Sequence, residues 1–156
     1  MTTDNEELTR RALERIAKCQ DPKELRQAAK NAQAAGNDRV ADAALRRLYA
    51  VSPDADPGTL EHDVWQSIYA LEGALSQERG KTTLLSRTRQ KIGRDGELGT
   101  VTDLIAKPES EGYKMLLARG WPELTFEYVA LRHPNRFDPK VLASAKSRLV
   151  ASGVQV

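Results

Sequence analysis

The sequence predicts an all-α protein, an irregular multi-helix bundle of about eight to nine helices. Alanine, leucine, arginine, glutamine, glutamate and lysine dominate the chain, and these residues favour the helix interior. Capping residues followed by proline recur along the chain, and glycines follow the apolar repeats at the spacing of helix ends. Aromatic residues make up only 5% of the sequence, so the core must consist mainly of aliphatic side chains.

The first three predicted helices lie within residues 1–52. The first begins at Asp4, a capping residue type. The second begins at Asp21-Pro22, with proline at the first helical position, and stops at Gly36. The third is capped by Asn37 or Asp38 and runs to about Val51. Small residues on the facing sides of the second and third helices permit close antiparallel packing, so we expect a helical hairpin within an N-terminal subdomain.

The hairpin over residues 22–55 carries a spaced set of small and large apolar residues. Its members are Leu25, Ala28, Ala29, Ala32, Gly36, Ala41, Leu45, Leu48 and Pro53. This spacing resembles one tetratricopeptide repeat, although Ala32 replaces the usual aromatic and Leu48 the usual small residue. No second copy follows in register, and such repeats normally stack to bury their faces. The resemblance implies a surface suited to protein contacts, with Leu25 and Ala32 as candidate partner-binding residues.

Residues 52–58 contain two prolines and one glycine and predict a linker or a loop. The segment either separates the N-terminal subdomain from a C-terminal helical domain over residues 59–152, or forms a loop within one bundle. A fourth helix is predicted from Thr59 to about Glu78. Its apolar stripe consists of Leu60, Val64, Ile68, Leu71 and Leu75. Trp65 and Tyr69 lie beside the stripe and form a second contact surface, either within the fold or to a partner.

The residues that carry chemistry do not form a recognisable catalytic motif. Glu61, His62 and Asp63 are adjacent, and adjacent helical residues point in different directions. One cysteine and two histidines are too few for the usual zinc sites. The segment 80–82, Gly-Lys-Thr, lacks the earlier glycine of a phosphate-binding loop, because Leu75 occupies that position. We therefore predict no cofactor and no metal, and favour a non-enzymatic role.

The most strongly polarised segment is residues 79–94. Its net charge is +6, whereas residues 59–78 and 95–112 each carry −4. We predict a basic helix over residues 82–94, a glycine turn over residues 95–99, and a short helix capped by Thr100. The apolar face of the basic helix is predicted to consist of Leu84, Leu85, Thr88 and Ile92. Helix, glycine turn and short helix is the outline of several DNA-binding modules.

The side chains of this segment are candidate nucleic-acid ligands. Arg87, Lys91 and Arg94 form a narrow row that suits phosphate contacts. Gln90, Arg89 or Thr88 could reach base edges. The full candidate set is Arg79, Lys81, Arg87, Arg89, Gln90, Lys91 and Arg94. The alternative is a solvated helix face whose cations pair with the acidic blocks on either side.

The remaining chain predicts three more helical segments. Ser110 caps a helix that Gly120 ends, and Asp138-Pro139 starts the last helix. Residues 124–131 are ambiguous, because Thr, Phe, Tyr and Val favour a strand. Pro122 in a first helical turn, and the lack of a partner strand, favour a helix there.

Two functional hypotheses follow. The first is a small soluble nucleic-acid-binding protein, for which DNA is the expected ligand. The second is an adaptor that binds protein partners through the tetratricopeptide-like hairpin or through Trp65 and Tyr69.

The sequence contains no run of about 18 apolar residues, so no membrane span is predicted. The polar start of the chain lacks a signal-peptide core, and a single cysteine suits a reducing compartment, so we expect a cytoplasmic location.

Overall fold

The computed structural model describes the backbone of residues 2–156 and the side chains from Asp4 onward. Within this part the protein has eight α-helices, one 3-10 turn at Pro122–Leu124 and no strand, which confirms the predicted all-α class. The helices are α1 (Thr2–Lys18), α2 (Pro22–Ala34), α3 (Asp38–Val51), α4 (Leu60–Arg79), α5 (Ser86–Ala106), α6 (Glu111–Ala118), α7 (Phe126–Arg132) and α8 (Pro139–Ala151). None of these described helices is long and apolar enough to cross a membrane.

The chain divides between Pro53 and Asp54 into two compact units. In the N-terminal unit, Asp21 caps α2 by accepting the Lys23 backbone N–H at 2.9 Å, and Asn37 caps α3 by accepting the Val40 N–H at 3.2 Å. α2 and α3 pack closely and α1 packs on α3. The residues buried between them are mostly small or aliphatic, namely Ile16, Leu25, Ala29, Ala32, Val40, Ala41, Ala44 and Leu48.

The C-terminal unit has its own core, built mainly by α4, α5, α7 and α8. α4 contributes Leu60, Val64 and Ile68, all of which are at most 1% exposed. The other helices and the loop before α8 add Ile92, Val101, Ile105, Val129, Ala130, Phe137 and Ala145. Burial of each large aliphatic side chain contributes roughly 1.5–3 kcal/mol, so this cluster fixes the positions of α4 and α5.

α5 differs from the prediction at its start, because the basic helix begins at Ser86 instead of residue 82. The helical segment extends to Ala106, but Gly96 leaves the helical conformation with φ 76° and ψ 172°, so α5 consists of two helices that meet at a kink. This break lies within the predicted glycine turn over residues 95–99, although it is shorter than that turn. The predicted cap at Thr100 is also wrong, because Thr100 lies fully buried inside the second half of α5.

The ambiguous segment after Pro122 is helical, as predicted. Thr125 caps α7 by accepting the Tyr128 N–H at 3.1 Å, so the β-branched and aromatic residues around it do not form a strand. Tertiary burial of Val129 and Ala130 stabilises this short helix against its local strand preference.

Arg148 on α8 fixes the end of α5. Its guanidinium donates to Glu127 Oε2 on α7 at 2.6 Å and to the Ile105 carbonyl at 3.1 Å. It also donates to the carbonyl of Lys107. These acceptors include carbonyls that the helix end leaves unpaired, so one partly buried cation joins α8, α7 and the end of α5.

Candidate nucleic-acid interface

The connection between α4 and α5 folds back on α4. Gly80 ends α4 with φ 69°, and residues 81–85 are not helical, because α4 side chains bind their backbone. Ser76 Oγ accepts the Thr83 N–H at 2.8 Å, and Glu72 Oε2 accepts the Leu85 N–H at 2.9 Å. A carboxylate thus takes the capping place at the start of α5, where the helix dipole favours negative charge.

Glu72 also binds Arg89. The Arg89 guanidinium donates from Nε and from one terminal nitrogen to the two carboxylate oxygens, both at 2.7 Å. These hydrogen bonds to Glu72 raise the pKa of Arg89. The same guanidinium lies 5.3 Å from the Trp65 ring centroid and 5.8 Å from that of Tyr69. The Arg89 side chain, which is 33% exposed, is therefore already paired with groups of α4.

Lys91 is also engaged within the chain. Its ammonium lies 2.8 Å from Asp103 and 3.1 Å from Asp95, both on α5. Hydrogen bonding to Asp103, and next to Asp95, raises the pKa of Lys91, while Lys91 lowers the pKa of Asp103. Lys91, the middle residue of the predicted row of cations, is thus neutralised by acidic side chains. This agrees with the alternative interpretation, in which the cations pair with the acidic blocks on either side.

Four cations of the segment remain without a carboxylate partner among the described residues. Arg79 ends α4, Lys81 follows Gly80, and Arg87 and Arg94 lie on α5, all with exposed side chains. Arg87 and Arg94 are seven residues apart on the side of α5 opposite the buried Ile92, which places them roughly 10 Å apart along the axis. We call these four residues the free cations. Gln90 is exposed beside them.

The predicted apolar face of the basic helix is only partly formed. Leu85 and Ile92 pack on the core, but Leu84 precedes the helix and is 55% exposed. It is displaced because the backbone of residues 82–85 is not helical and is held by Ser76 and Glu72. An apolar side chain therefore stands in the connection between Lys81 and Arg87.

The partner-binding candidates have unequal access to solvent. Leu25 is 1% and Ala32 6% exposed, because both lie in the core of the N-terminal unit, so neither side chain can contact a partner in this conformation. Trp65 and Tyr69 are half-buried, with ring centroids 6.2 Å apart. They line a cleft in the C-terminal unit.

Sequence reasoning missed two polar clusters. Glu72 follows Ile68 by four residues and adjoins Leu71, which places it on the apolar face of α4. Its burial could therefore have been predicted from the sequence. Asp63 binds His133 Nε2 at 2.6 Å across 70 residues of sequence, and no local pattern announces that contact. His62 Nδ1 lies 3.4 Å from the other oxygen of Asp63, contrary to the expected divergence of neighbours.

Among the residues that the structure describes, no group of three or more His, Cys, Asp and Glu side chains is arranged to hold a metal ion. No family model matches the chain, and the comparisons with curated proteins and with solved structures also yield no match.

Proposed function

We propose that the protein binds nucleic acid, and DNA foremost, by contacting the phosphate backbone with the free cations of the α4–α5 region. The observation that supports this proposal is that none of these four cations has a carboxylate partner in the part of the chain that the structure describes. Within a segment of net charge +6, Arg89 and Lys91 are used by Glu72, Asp95 and Asp103, whereas the four free cations are left to solvent.

The internal pairs make the segment a rigid platform. The Glu72–Arg89 bridge joins α4 to α5, the Leu85 N–H bond fixes the helix start, and Ile92 anchors the helix in the core. Cations held on a rigid element lose less conformational freedom on binding than cations on a mobile loop. Each phosphate that they neutralise releases condensed counterions, which supplies sequence-independent affinity. Phosphate contacts also set orientation, while Gln90 is positioned next to them for a base-edge contact.

The test compares two charge reversals that change the net charge equally. Arg87→Glu with Arg94→Glu reverses two free cations, whereas Lys114→Glu with Lys146→Glu reverses two exposed cations on α6 and α8. Lys91 is kept, because its reversal would also break its ion pairs within α5. Fluorescence anisotropy of a labelled mixed-sequence duplex, and of a single strand, measures affinity at about 50 and 200 mM salt.

We expect the Arg87/Arg94 variant to lose at least about tenfold in affinity, the equivalent of 1.4 kcal/mol. The Lys114/Lys146 variant should lose much less, since only long-range attraction changes and salt screens it within about 10 Å. Equal losses of affinity in the two variants would show that binding depends on net charge and not on the position of the cations. Absence of salt-dependent binding by the wild type would refute the proposal itself.

A further inference from the structure

A cleft of about 380 Å³ lies beside the two half-buried aromatic residues of α4. Trp65 and Tyr69 form one side, and Asp54, Glu61 and Glu97 contribute carboxylates. The volume falls within the range of small-ligand sites, which typically combine apolar surface with a few converging polar groups. All of these residues belong to the C-terminal unit.

The charges of the cleft oppose those of the free cations. Arg89 also lines it, but its charge is matched by the two hydrogen bonds to Glu72. Glu61 shares its charge with Arg136 at 3.3 Å, whereas Asp54 and Glu97 have no ion-pair partner among the described residues. The cleft therefore carries excess negative charge. A phosphate would be repelled there, and a cation attracted.

The aromatic pair favours an organic cation over a bare one. The rings are tilted by 45° with centroids 6.2 Å apart, and the Arg89 guanidinium already lies 5.3 Å from the Trp65 centroid. The electron-rich faces of these rings attract ammonium and guanidinium groups. A ligand in the cleft would meet ring surface and unpaired carboxylates together.

We propose that this cleft binds a guanidinium or ammonium group on an aliphatic chain, supplied either by a peptide side chain or by a free polyamine. Trp65 and Tyr69 contact its aliphatic and cationic parts, while Asp54 and Glu97 neutralise its charge. This site is separate from the free cations, so it does not depend on nucleic-acid binding.

Binding is measured from the indole N–H signals in the ¹⁵N-correlated NMR spectrum of the full chain. The chain has two tryptophans, and Trp121 is buried and does not line the cleft. N-acetyl-arginine amide and spermidine are titrated separately, with N-acetyl-citrulline amide as the uncharged analogue of the arginine probe. We expect a saturable shift of the Trp65 signal with at least one cation, a much smaller shift of Trp121, and no saturable shift with citrulline. The probe that binds more tightly identifies the source of the cation.

Asp54→Asn with Glu97→Gln should weaken the binding of the cation about tenfold. Glu109→Gln with Glu111→Gln, an equal change of charge at two exposed residues, should alter it by no more than about twofold, because salt screens distant charges. Saturation by citrulline, equal losses in both double variants, or no saturable shift with either cation would each overturn the proposal. The Asp54/Glu97 variant should still bind DNA, so failure of this inference is distinguishable from failure of the proposed function.

Discussion

The bridge between Glu72 and Arg89 should be worth more to the C-terminal unit than an ordinary surface ion pair. The Glu72 side chain is 7% exposed and that of Arg89 33%, and the two share a pair of 2.7 Å hydrogen bonds. The partners are thus unequal in burial. Removing the arginine strands a buried carboxylate, whereas neutralising the glutamate leaves a cation that can turn towards water.

This asymmetry fixes the order of the effects. Arg89→Met should cost about 3 kcal/mol, the low end of the range for an uncompensated buried charge, since the Leu85 N–H still binds Glu72. Glu72→Gln should cost about 1.5–2 kcal/mol, because its amide oxygen can still accept a hydrogen bond and charge-assisted bonds contribute about 1.5–3 kcal/mol. The double variant should cost less than the sum of the two, because the residues interact directly.

Urea unfolding followed by tryptophan fluorescence measures these costs. Both tryptophans, Trp65 and Trp121, belong to the C-terminal unit, so the signal reports on that unit alone. Arg136→Met is the control, because its pair with Glu61 is 3.3 Å long and both side chains are more than a third exposed; it should cost under about 1 kcal/mol. An Arg89→Met cost within the control's range, or a larger cost for Glu72→Gln than for Arg89→Met, would contradict the reasoning.

Three further predictions concern α5 and α6. Gly96→Ala should cost about 1–3 kcal/mol of stability, because φ 76° and ψ 172° lie in a region that only glycine adopts readily. Gly93 is helical with open space around it, so Gly93→Ala should instead stabilise the protein by up to about 1 kcal/mol. Urea unfolding that ranks the two variants in the opposite order would refute the kink. Thr100→Val should be neutral or stabilising, since the buried Thr100 hydroxyl has no hydrogen-bond partner among the described residues and an unsatisfied polar group costs about 1–3 kcal/mol. A loss of stability above about 1 kcal/mol would show that the hydroxyl is hydrogen-bonded. Burial raises the pKa of Tyr113, so the folded chain keeps a proton that the unfolded chain loses near pH 10, and stability should fall as pH rises above about 10. The urea midpoint of Tyr113→Phe should fall less steeply with pH than that of the wild type. Parallel plots of urea midpoint against pH for the two proteins would contradict this prediction.

Local signals predicted most of the helices. The Asp21-Pro22 and Asp138-Pro139 pairs both start helices, with each aspartate accepting a backbone N–H at 2.9 Å. Ser110 and Thr59 also cap the helices that they were predicted to start. These caps depend on residues two or three positions apart, so they can be predicted from the sequence alone.

The errors arose where distant residues decide the local structure. The apolar spacing of Leu84 and Leu85 suggested a helix from residue 82, but hydrogen bonds donated by the backbone to Ser76 and Glu72 hold this stretch out of the helix. Gly93, Gly96 and Gly99 predicted a turn, and Gly96 alone provides the break, as a kink between two helical halves of α5. Core contacts on both halves of α5 stabilise the helix against the low helix propensity of glycine.

The candidate site was predictable as a segment and not as a set of free side chains. The charge block at residues 79–94 is visible in the sequence. Which cations are free depends on partners up to 17 residues away, as for Arg89 and Glu72. The pair of Lys91 and Asp95 could have been predicted, because residues four positions apart on a helix are neighbours.

The salt dependence of DNA binding tests the central claim most directly. For duplex DNA the slope of log K against log salt is about −0.9 per neutralised phosphate. If the free cations contact phosphates, Arg87→Ala with Arg94→Ala should make the slope shallower by about 1.8, the value for two lost contacts. A slope identical to that of the wild type, measured over the same salt range by anisotropy, would show that Arg87 and Arg94 do not contact the backbone.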